Sequence, residues 1–139
     1  MNTQNQNGYM LLFRSDEWYN ELSLEELQKI ISANRAWMDR LTTQGKAKAS
    51  QALAHKGVTV SRRNAQVIVD GPFAESKEVI GGYLVLDVET LEEAIAIAKS
   101  SPALAYRTSI EVRALAEECP LDTRVRELAR EEELVPANA

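Results

Sequence analysis

The stretch Gln66-Val-Ile-Val-Asp-Gly-Pro-Phe-Ala-Glu-Ser-Lys-Glu-Val-Ile-Gly-Gly-Tyr-Leu-Val-Leu86 decides the fold of this chain. Two apolar, β-prone runs flank a Gly-Pro dipeptide, which neither a helix interior nor a β-ladder accommodates well. The stretch therefore predicts a strand, a tight corner at residues 70–73 and a second strand. Because residues 79–88 are almost wholly apolar, we expect the second strand to be covered on both faces, with a bulge or a close backbone approach at Gly81-Gly82.

The residues before this stretch predict a strand, a long helix and a hairpin. Gly8–Phe13 is a short apolar run typical of a buried strand. Ser23-Leu24-Glu25-Glu26 is a capping box, and the apolar residues after it recur at helical spacing until Gly45 ends the helix. Residues 46–56 are expected to be short and irregular or strand-like. Alternating residues between 58 and 69, around Arg62-Arg63-Asn64, predict a hairpin.

The residues after the stretch predict a helix, a strand and a charged helical extension. Thr90-Leu91-Glu92-Glu93 is a second capping box, and its helix should stop at Ser100-Ser101-Pro102. Ser109–Arg113 alternates polar and apolar side chains, as a half-exposed strand does. Asp122–Leu134 predicts a short charged helix. We expect it to pack through three apolar side chains, which are Leu121, Val125 and Leu128.

An internal echo predicts the topology. Gly8–Phe13 followed by the Ser23 capping box is mirrored by Gly82–Asp87 followed by the Thr90 capping box. Two such strand-plus-helix units, each leading to further strands, predict the β-α-β-β-α-β order of a ferredoxin-like α+β domain. Both helices would then lie on one face of an antiparallel sheet, and we expect a second subunit to bury the opposite face.

Size and composition place the chain among one-domain proteins of the cytoplasm. Its 139 residues suffice to bury roughly two thirds of the unfolded surface around one core. The polar residues 1–7 should be frayed, and the single Cys119 fits a reducing compartment. No apolar run approaches the ~20 residues of a membrane span, and no leader pattern is present, so no membrane association is predicted. The net charge of -5 repels a phosphate backbone, so no nucleic-acid partner is predicted.

The corner Asp70-Gly71-Pro72-Phe73, continuing through Glu75 and closing on Gly81-Gly82-Tyr83, resembles the signature of the YCII-related family, also called the DGPF-domain family. The resemblance covers residues 8–115 and leaves 116–139 as a C-terminal extension. It implies a dimeric α/β barrel in which two ferredoxin-like sheets pack face to face, each enclosing a cleft beside the corner. The chain departs from the pattern at Ser76, where threonine is commoner, at Arg63-Asn64, which replaces an Asp-Gly turn, and at Asn34, where an aromatic residue is usual.

Asp70 and His55 are the candidate catalytic residues. At a strand end beside a cleft, the Asp70 carboxylate is placed to act as a general acid or base. An Asp that opens such a corner is also a turn former whose carboxylate accepts a nearby backbone amide; this structural role is favoured, and the two roles are compatible. His55 is the only histidine and has no partner at a metal-ligand spacing, so no metal is predicted, and a structural or surface role is favoured over acid–base work.

Four further residues are candidates for binding a ligand. Lys77 would neutralise a bound carboxylate or enolate, Tyr83 would present its hydroxyl to the cleft, Arg14 would reach the same region from the end of the first strand, and Phe73 would anchor the corner. A solvated surface, core packing and a surface ion pair are the structural alternatives for Lys77, Tyr83 and Arg14. Asn34 interrupts the apolar stripe of the first helix. It is either a polar group aimed at a pocket or a stripe-edge residue bonded to backbone, and the second interpretation is favoured.

Two functions of different kinds remain. No phosphate loop, dinucleotide fingerprint or nucleophile elbow is present, so no cofactor is predicted. In the first hypothesis a homodimer binds a small organic molecule and Asp70, with His55, moves a proton; relatives in the superfamily that eliminate halide from ring compounds imply lyase-like or isomerase-like chemistry. In the second, the resemblance implies a noncatalytic binding or regulatory protein with a protein partner, linked to an extracytoplasmic-function sigma factor.

Overall fold

The computed structural model describes residues 7–134. Nine regular elements follow one another along the chain: β1 (Tyr9–Ser15), α1 (Leu24–Thr43), β2 (Ala47–Ala52), β3 (Thr59–Arg63), β4 (Gln66–Asp70), β5 (Val79–Leu86), α2 (Leu91–Lys99), β6 (Thr108–Ala114) and α3 (Pro120–Leu134). Two short 3₁₀ turns, Trp18–Glu21 and Pro102–Ala105, precede α1 and β6.

The main sheet confirms the predicted ferredoxin-like α+β fold. Its four strands lie in the order β2-β5-β1-β6 and every neighbouring pair is antiparallel. Leu11 lies opposite Leu84 on β5 and Val112 on β6, which fixes the side chains that share a face. The register along β1 and β5 shifts between Phe13 and Arg14, so the predicted bulge is present and Gly81 is the extra residue.

Helices α1 and α2 cover one face of this sheet and form the core with it. The most deeply buried residues of β1 and β5 alternate along the strands and all point to the helices; they are Tyr9, Leu11, Leu84 and Leu86. Trp37 and Leu41 of α1 and Ala94, Ile97 and Ala98 of α2 close the core from the other side. The residues between them on β1 and β5 are only half-buried, because no element of the described chain covers the second face.

Both helix starts follow from their caps. The Ser23 hydroxyl accepts from the Glu26 amide at 3.2 Å, and the Glu26 carboxylate accepts from the Ser23 amide at 3.2 Å, which confirms the capping box. At α2, the Thr90 hydroxyl accepts from the Glu93 amide at 3.2 Å. The Glu93 carboxylate pairs with Lys46 Nζ at 3.2 Å. The second cap is therefore one-sided, with Glu93 tying α2 to the entry of β2.

The predicted hairpin forms, but outside the main sheet. Strands β3 and β4 pair only with each other, from Thr59 opposite Asp70 to Arg63 opposite Gln66. Asn64 and Ala65, both at positive φ, make the two-residue turn between them. The edge place beside β5 belongs instead to β2, in the segment expected to be irregular or strand-like. The hairpin is thus an arm inserted between the second and third strands of the ferredoxin order.

Helix α3 forms as predicted, but the expectation that it packs through Leu121, Val125 and Leu128 is wrong. These side chains are 42 to 76% exposed. The helix face of the sheet is already covered by α1 and α2, so this face offers α3 no place to pack. Of the predicted N-terminal tail, residues 1–6 lie outside the described residues. Asn7 Nδ2 donates to the Ala116 carbonyl at 3.2 Å. No helix within 7–134 has the length and apolar character needed to cross a bilayer.

Candidate functional site

The corner after β4 is held by close backbone contact with Gly57. Gly71 has φ +142°, and a Cβ there would lie 2.8 Å from the Gly57 carbonyl oxygen, so only glycine fits. The Gly71–Pro72 peptide is cis. The Phe73 amide donates to the Gly57 carbonyl at 3.0 Å, and the Phe73 ring packs against Gly57 so closely that a Cβ there would meet it at 2.8 Å. These contacts hold the Phe73 backbone and ring against Gly57.

His55 lies next to this corner and is tied to it. Its Nε2 is 2.9 Å from the Ala74 carbonyl oxygen, and its side chain is only 8% exposed. A carbonyl oxygen only accepts hydrogen bonds, so Nε2 carries the proton and the Nδ1 of the neutral ring has a free lone pair. Within residues 7–134 no partner contacts Nδ1 through a hydrogen bond. The ring is therefore oriented by the protein with its basic nitrogen unused.

A carboxylate and a phenol lie behind the imidazole. Glu17 Oε1 is 3.8 Å from His55 Nε2, and Glu17 Oε2 accepts from the Tyr19 hydroxyl at 3.1 Å. Burial, then the hydrogen bond to Glu17 and the charge of that carboxylate, raise the pKa of Tyr19 above its ordinary value. Glu17 thus lies between the Tyr19 hydroxyl and the His55 ring, and the three side chains form a Tyr–Glu–His series beside the corner.

The segment that carries Glu17 and Tyr19 is fastened to the loop before β6. Trp18 stacks on Tyr106 with ring centroids 4.4 Å apart and planes 6° apart. Arg107 donates to both oxygens of Asp16 and to both oxygens of Glu21 at 3.0 to 3.3 Å. The hydrogen bonds to Glu21 and then to Asp16 raise the pKa of Arg107 still further, so this cation stays charged. The segment is thereby held beside His55.

Three adjoining cavities meet around this series. An inner cavity of about 250 Å³ lies between the 3₁₀ turn at Trp18, α1 and the sheet, and both His55 and Asn34 line it. An outer cavity of about 520 Å³ lies under the corner, and it shares the His55 wall with the inner one. An edge cavity of about 300 Å³ runs towards β2 and shares Asn34 and Phe13 with the inner one. His55 therefore stands between the inner and outer cavities.

The structure brings four of the six predicted site residues together. His55, Arg14, Phe73 and Lys77 all line the outer cavity. Asp70 is exposed at the end of β4 and lines none of the cavities described above. In the described chain its carboxylate has no hydrogen bond, so the local amide bond expected of a turn former is not observed.

The remaining predicted residues have partners of their own. Arg14 Nη2 lies 3.9 Å from Glu111 Oε1 across half-exposed side chains, an ion pair of little energetic weight. Lys77 Nζ lies 4.1 Å from the centroid of the Phe73 ring, a cation–π contact that places its charge at the outer cavity. Tyr83 lines the edge cavity, but its register opposite Leu12 puts its ring on the helix-free face of the sheet.

Sequence reasoning missed Glu17 and Tyr19 and preferred the structural interpretation of Asn34. Asn34 is half-buried, lines two cavities and has no hydrogen bond within the described residues, which is the pocket-facing arrangement. The available signal for the other two was an acidic pair followed by two aromatics directly after β1, in Asp16–Tyr19. Across residues 7–134, no three His, Cys, Asp or Glu side chains cluster closely enough to hold a metal ion.

Comparison with known proteins places this arrangement in a family. The model of the YCII-related domain matches residues 9–119, which is most of the chain and includes the corner, the His55 segment and the whole main sheet. No curated protein matches the sequence. With the family model covering the four-stranded sheet, its two helices and the corner, the chain belongs to the YCII-related family.

Proposed function

We propose that the protein binds a small organic carboxylate across the inner and outer cavities and transfers a proton at an atom held against His55. The observation that carries the proposal is the His55 ring, which lines both cavities and whose Nε2 is fixed by Ala74, while Nδ1 has no hydrogen bond within the described residues. A ligand that spans both cavities would contact this ring. The combined space fits a molecule of a few rings or fewer.

The charges around the outer cavity support a carboxylate at that end. Arg14, Lys56 and Lys77 line it, against the single carboxylate of Glu78. The inner cavity combines aromatic and aliphatic side chains with the polar Ser15, Asp16 and Thr108, and the Asn34 amide there is free to donate and accept. An acidic group under the corner and a ring or short chain towards α1, with its carbonyl on Asn34, would satisfy both ends.

The chemistry that suits this arrangement is proton abstraction beside a carbonyl. His55 Nδ1 would take a proton from the carbon, and the electron pair left behind would move onto the carbonyl oxygen as an enolate. Return of the proton to another carbon completes an isomerisation, and departure of a leaving group from the neighbouring carbon completes an elimination. The Glu17 carboxylate would stabilise the imidazolium between the two steps.

A homodimer is part of the proposal. The helix-free face of the main sheet carries half-buried apolar side chains at its centre, among them Met10, Leu12, Tyr83 and Val85. Packing two such faces together would bury them and give the dimeric α/β barrel implied by the resemblance. Asp70, which is exposed in one protomer, would enter the chemistry only if the second copy closes a hollow over the corner.

A thermal-shift experiment tests the ligand proposal. A panel of small cyclic and aromatic carboxylates is screened. A compound that binds, when present at a free concentration of about 100 times its Kd, should stabilise the native state by about 2.7 kcal/mol. His55→Gln keeps an N–H for Ala74 but has no basic nitrogen, and should abolish turnover of that compound. Lys99→Gln, on an exposed helix end, is the control. Absence of any binding carboxylate, or full turnover by His55→Gln, would contradict the proposal.

A further inference from the structure

The hairpin β3–β4 presents an uncovered apolar face. Val60, Val67 and Val69 are 62 to 64% exposed. The register puts Val60 opposite Val69 and Arg62 opposite Val67, so the three valines and Arg62 share one face, with Arg62 at the turn end. An isolated two-stranded hairpin is marginal in water unless something packs against it. The face therefore needs a covering element.

Helix α3 has a matching unpartnered stripe. Leu121, Val125, Leu128 and Glu132 recur at steps of four, three and four residues, so they lie on one side of the helix. Apart from Thr123, the residues of α3 with described side chains are exposed, and a helix of this length gains little stability without packing. Its end carries Glu131, Glu132 and Glu133 and no basic residue in the last turn, which opposes the helix dipole.

The two faces are complementary in charge and in length. Arg62 and Arg63 form no ion pair within residues 7–134, and neither do the three terminal glutamates of α3. The stripe from Leu121 to Glu132 rises about 16 Å. A five-residue strand spans about 14 Å over its four steps. With apolar residues facing apolar residues, one of the two directions of the helix along the hairpin brings Glu132 to the end that carries Arg62, and charge complementarity favours that direction.

Within one protomer the two elements lie at opposite ends of the sheet. The hairpin leads into β5, whose first residue Val79 pairs with Ser15 at the end of β1. Helix α3 follows β6, whose last residue Ala114 pairs with Tyr9 at the start of β1. A seven-residue strand separates these ends by roughly 20 Å. A two-fold axis that reverses the strand direction would place the hairpin of one copy beside α3 of the other.

We propose that the hairpin of each protomer clasps helix α3 of a second copy, so that the C-terminal extension is a dimer-locking element. This rests on the dimer proposed above and adds to it a specific pair of surfaces. Each dimer contains two such clasps, and each joins a valine face with a cation to a leucine–valine stripe with an anion. The C-terminal extension would then hold the hairpin of the second copy, whose strand β4 ends at the corner.

A disulfide trap tests the clasp. In a Cys119→Ser background, a chain carrying both Val67→Cys and Leu128→Cys should form a covalent dimer under mild oxidation, several-fold faster than either single-cysteine chain. Two controls move one cysteine to the opposite face, Ser61→Cys on the hairpin and Arg130→Cys on the helix, and should not accelerate the bond. Light scattering on the same samples reports the total dimer, whose mass is twice the 15.5 kDa of the chain.

Charge reversal gives an independent measurement. Arg62→Glu should slow formation of the disulfide-linked dimer at low salt, and added salt should lessen this loss because it screens the new repulsion from Glu132. Arg62→Glu combined with Glu132→Lys should restore the rate. A dimer by light scattering with no faster bond in the double-cysteine chain would overturn the clasp and leave the sheet-face dimer standing. Fast bonding of the Leu128→Cys chain alone would show helix pairing with helix and also overturn it. A monomer throughout would overturn both.

Discussion

Replacing Asn34 by leucine should stabilise the fold while removing ligand binding. Asn34 lies on the stripe that α1 presents to the core, half-buried, between the inner and edge cavities, and its amide has no hydrogen bond within the described residues. Half-burying a leucine side chain is worth about 1 kcal/mol, and its better helix propensity adds a few tenths. The substitution also relieves about 0.5 kcal/mol of amide desolvation.

The expected gain is therefore about 1.8 kcal/mol, since the cavities on both sides leave room for the larger branch. In urea the midpoint should rise at unchanged slope, and the melting temperature should rise by about 6 °C. Asn34→Ala is the matched control, because it gains helix propensity without filling the site. Any carboxylate that raises the melting temperature of the wild type should lose its effect on Asn34→Leu.

A loss of stability in Asn34→Leu would refute the reasoning. It would mean that the Asn34 side-chain amide makes a hydrogen bond to the backbone, as expected of a residue at the edge of the apolar stripe. Equal stability of the leucine and alanine variants would show that the position is open to water and not a wall of the cavities. Retained ligand binding by a stabilised Asn34→Leu would remove the amide from the site.

Three further predictions concern other parts of the molecule. Glu17→Gln should lower the pKa of Tyr19 towards its ordinary value, as measured by ultraviolet titration. In the wild type the protonated Tyr19 contributes to the free energy of unfolding; this contribution is complete below the pKa of Tyr19 in the unfolded chain and is lost as pH rises through its raised pKa in the folded protein. The hydrogen bonds from Thr123 and then Arg126 lower the pKa of Glu118, so the amides at the start of α3 should lose protection, measured against unstructured peptide at the same pH, as pH falls through that lowered value, and Glu118→Gln should abolish this dependence. Leu84→Ala should cost about 3 kcal/mol in urea unfolding, because the side chain is fully buried against both helices; a loss below about 1 kcal/mol would contradict its place in the core.

The sequence was informative where one local pattern determines one local structure. The Ser23 capping box, the Gly81 bulge and the alternation of β6 each depend on neighbours within a few residues, and all three are observed. The partner of a strand is a different matter, because it depends on the whole sheet. The alternating residues of β3 and β4 predicted a hairpin correctly. The strand at the edge of the sheet beside β5 is β2, however, and its sequence Ala47–Ala52 has few residues that favour a strand.

The candidate site was only partly predictable for the same reason. Phe73 and Lys77 belong to the signature stretch and reach the outer cavity together with Arg14 and His55. The Glu17 carboxylate and the His55 ring, however, are 38 positions apart and meet only because β1 and β2 flank β5. No spacing rule on a single sequence connects them, so the lone histidine seemed a structural residue when judged by its neighbours.

The signature corner and the candidate catalytic residue are physically coupled. The Phe73 amide donates to the Gly57 carbonyl at 3.0 Å and His55 Nε2 is 2.9 Å from the Ala74 carbonyl, so the corner and the His55 segment are joined by two parallel contacts. The corner thus positions the imidazole.

Gly71→Ala, whose Cβ would meet Gly57 at 2.8 Å in a positive-φ conformation, should therefore lower stability by roughly 2 kcal/mol and weaken carboxylate binding as well. His55→Gln should remove proton transfer with less than about 1 kcal/mol lost, because the amide preserves the contact to Ala74. If Gly71→Ala lowered stability but left binding and turnover intact, the corner would be a fold element alone, and the positioning of His55 would have to come from Glu17.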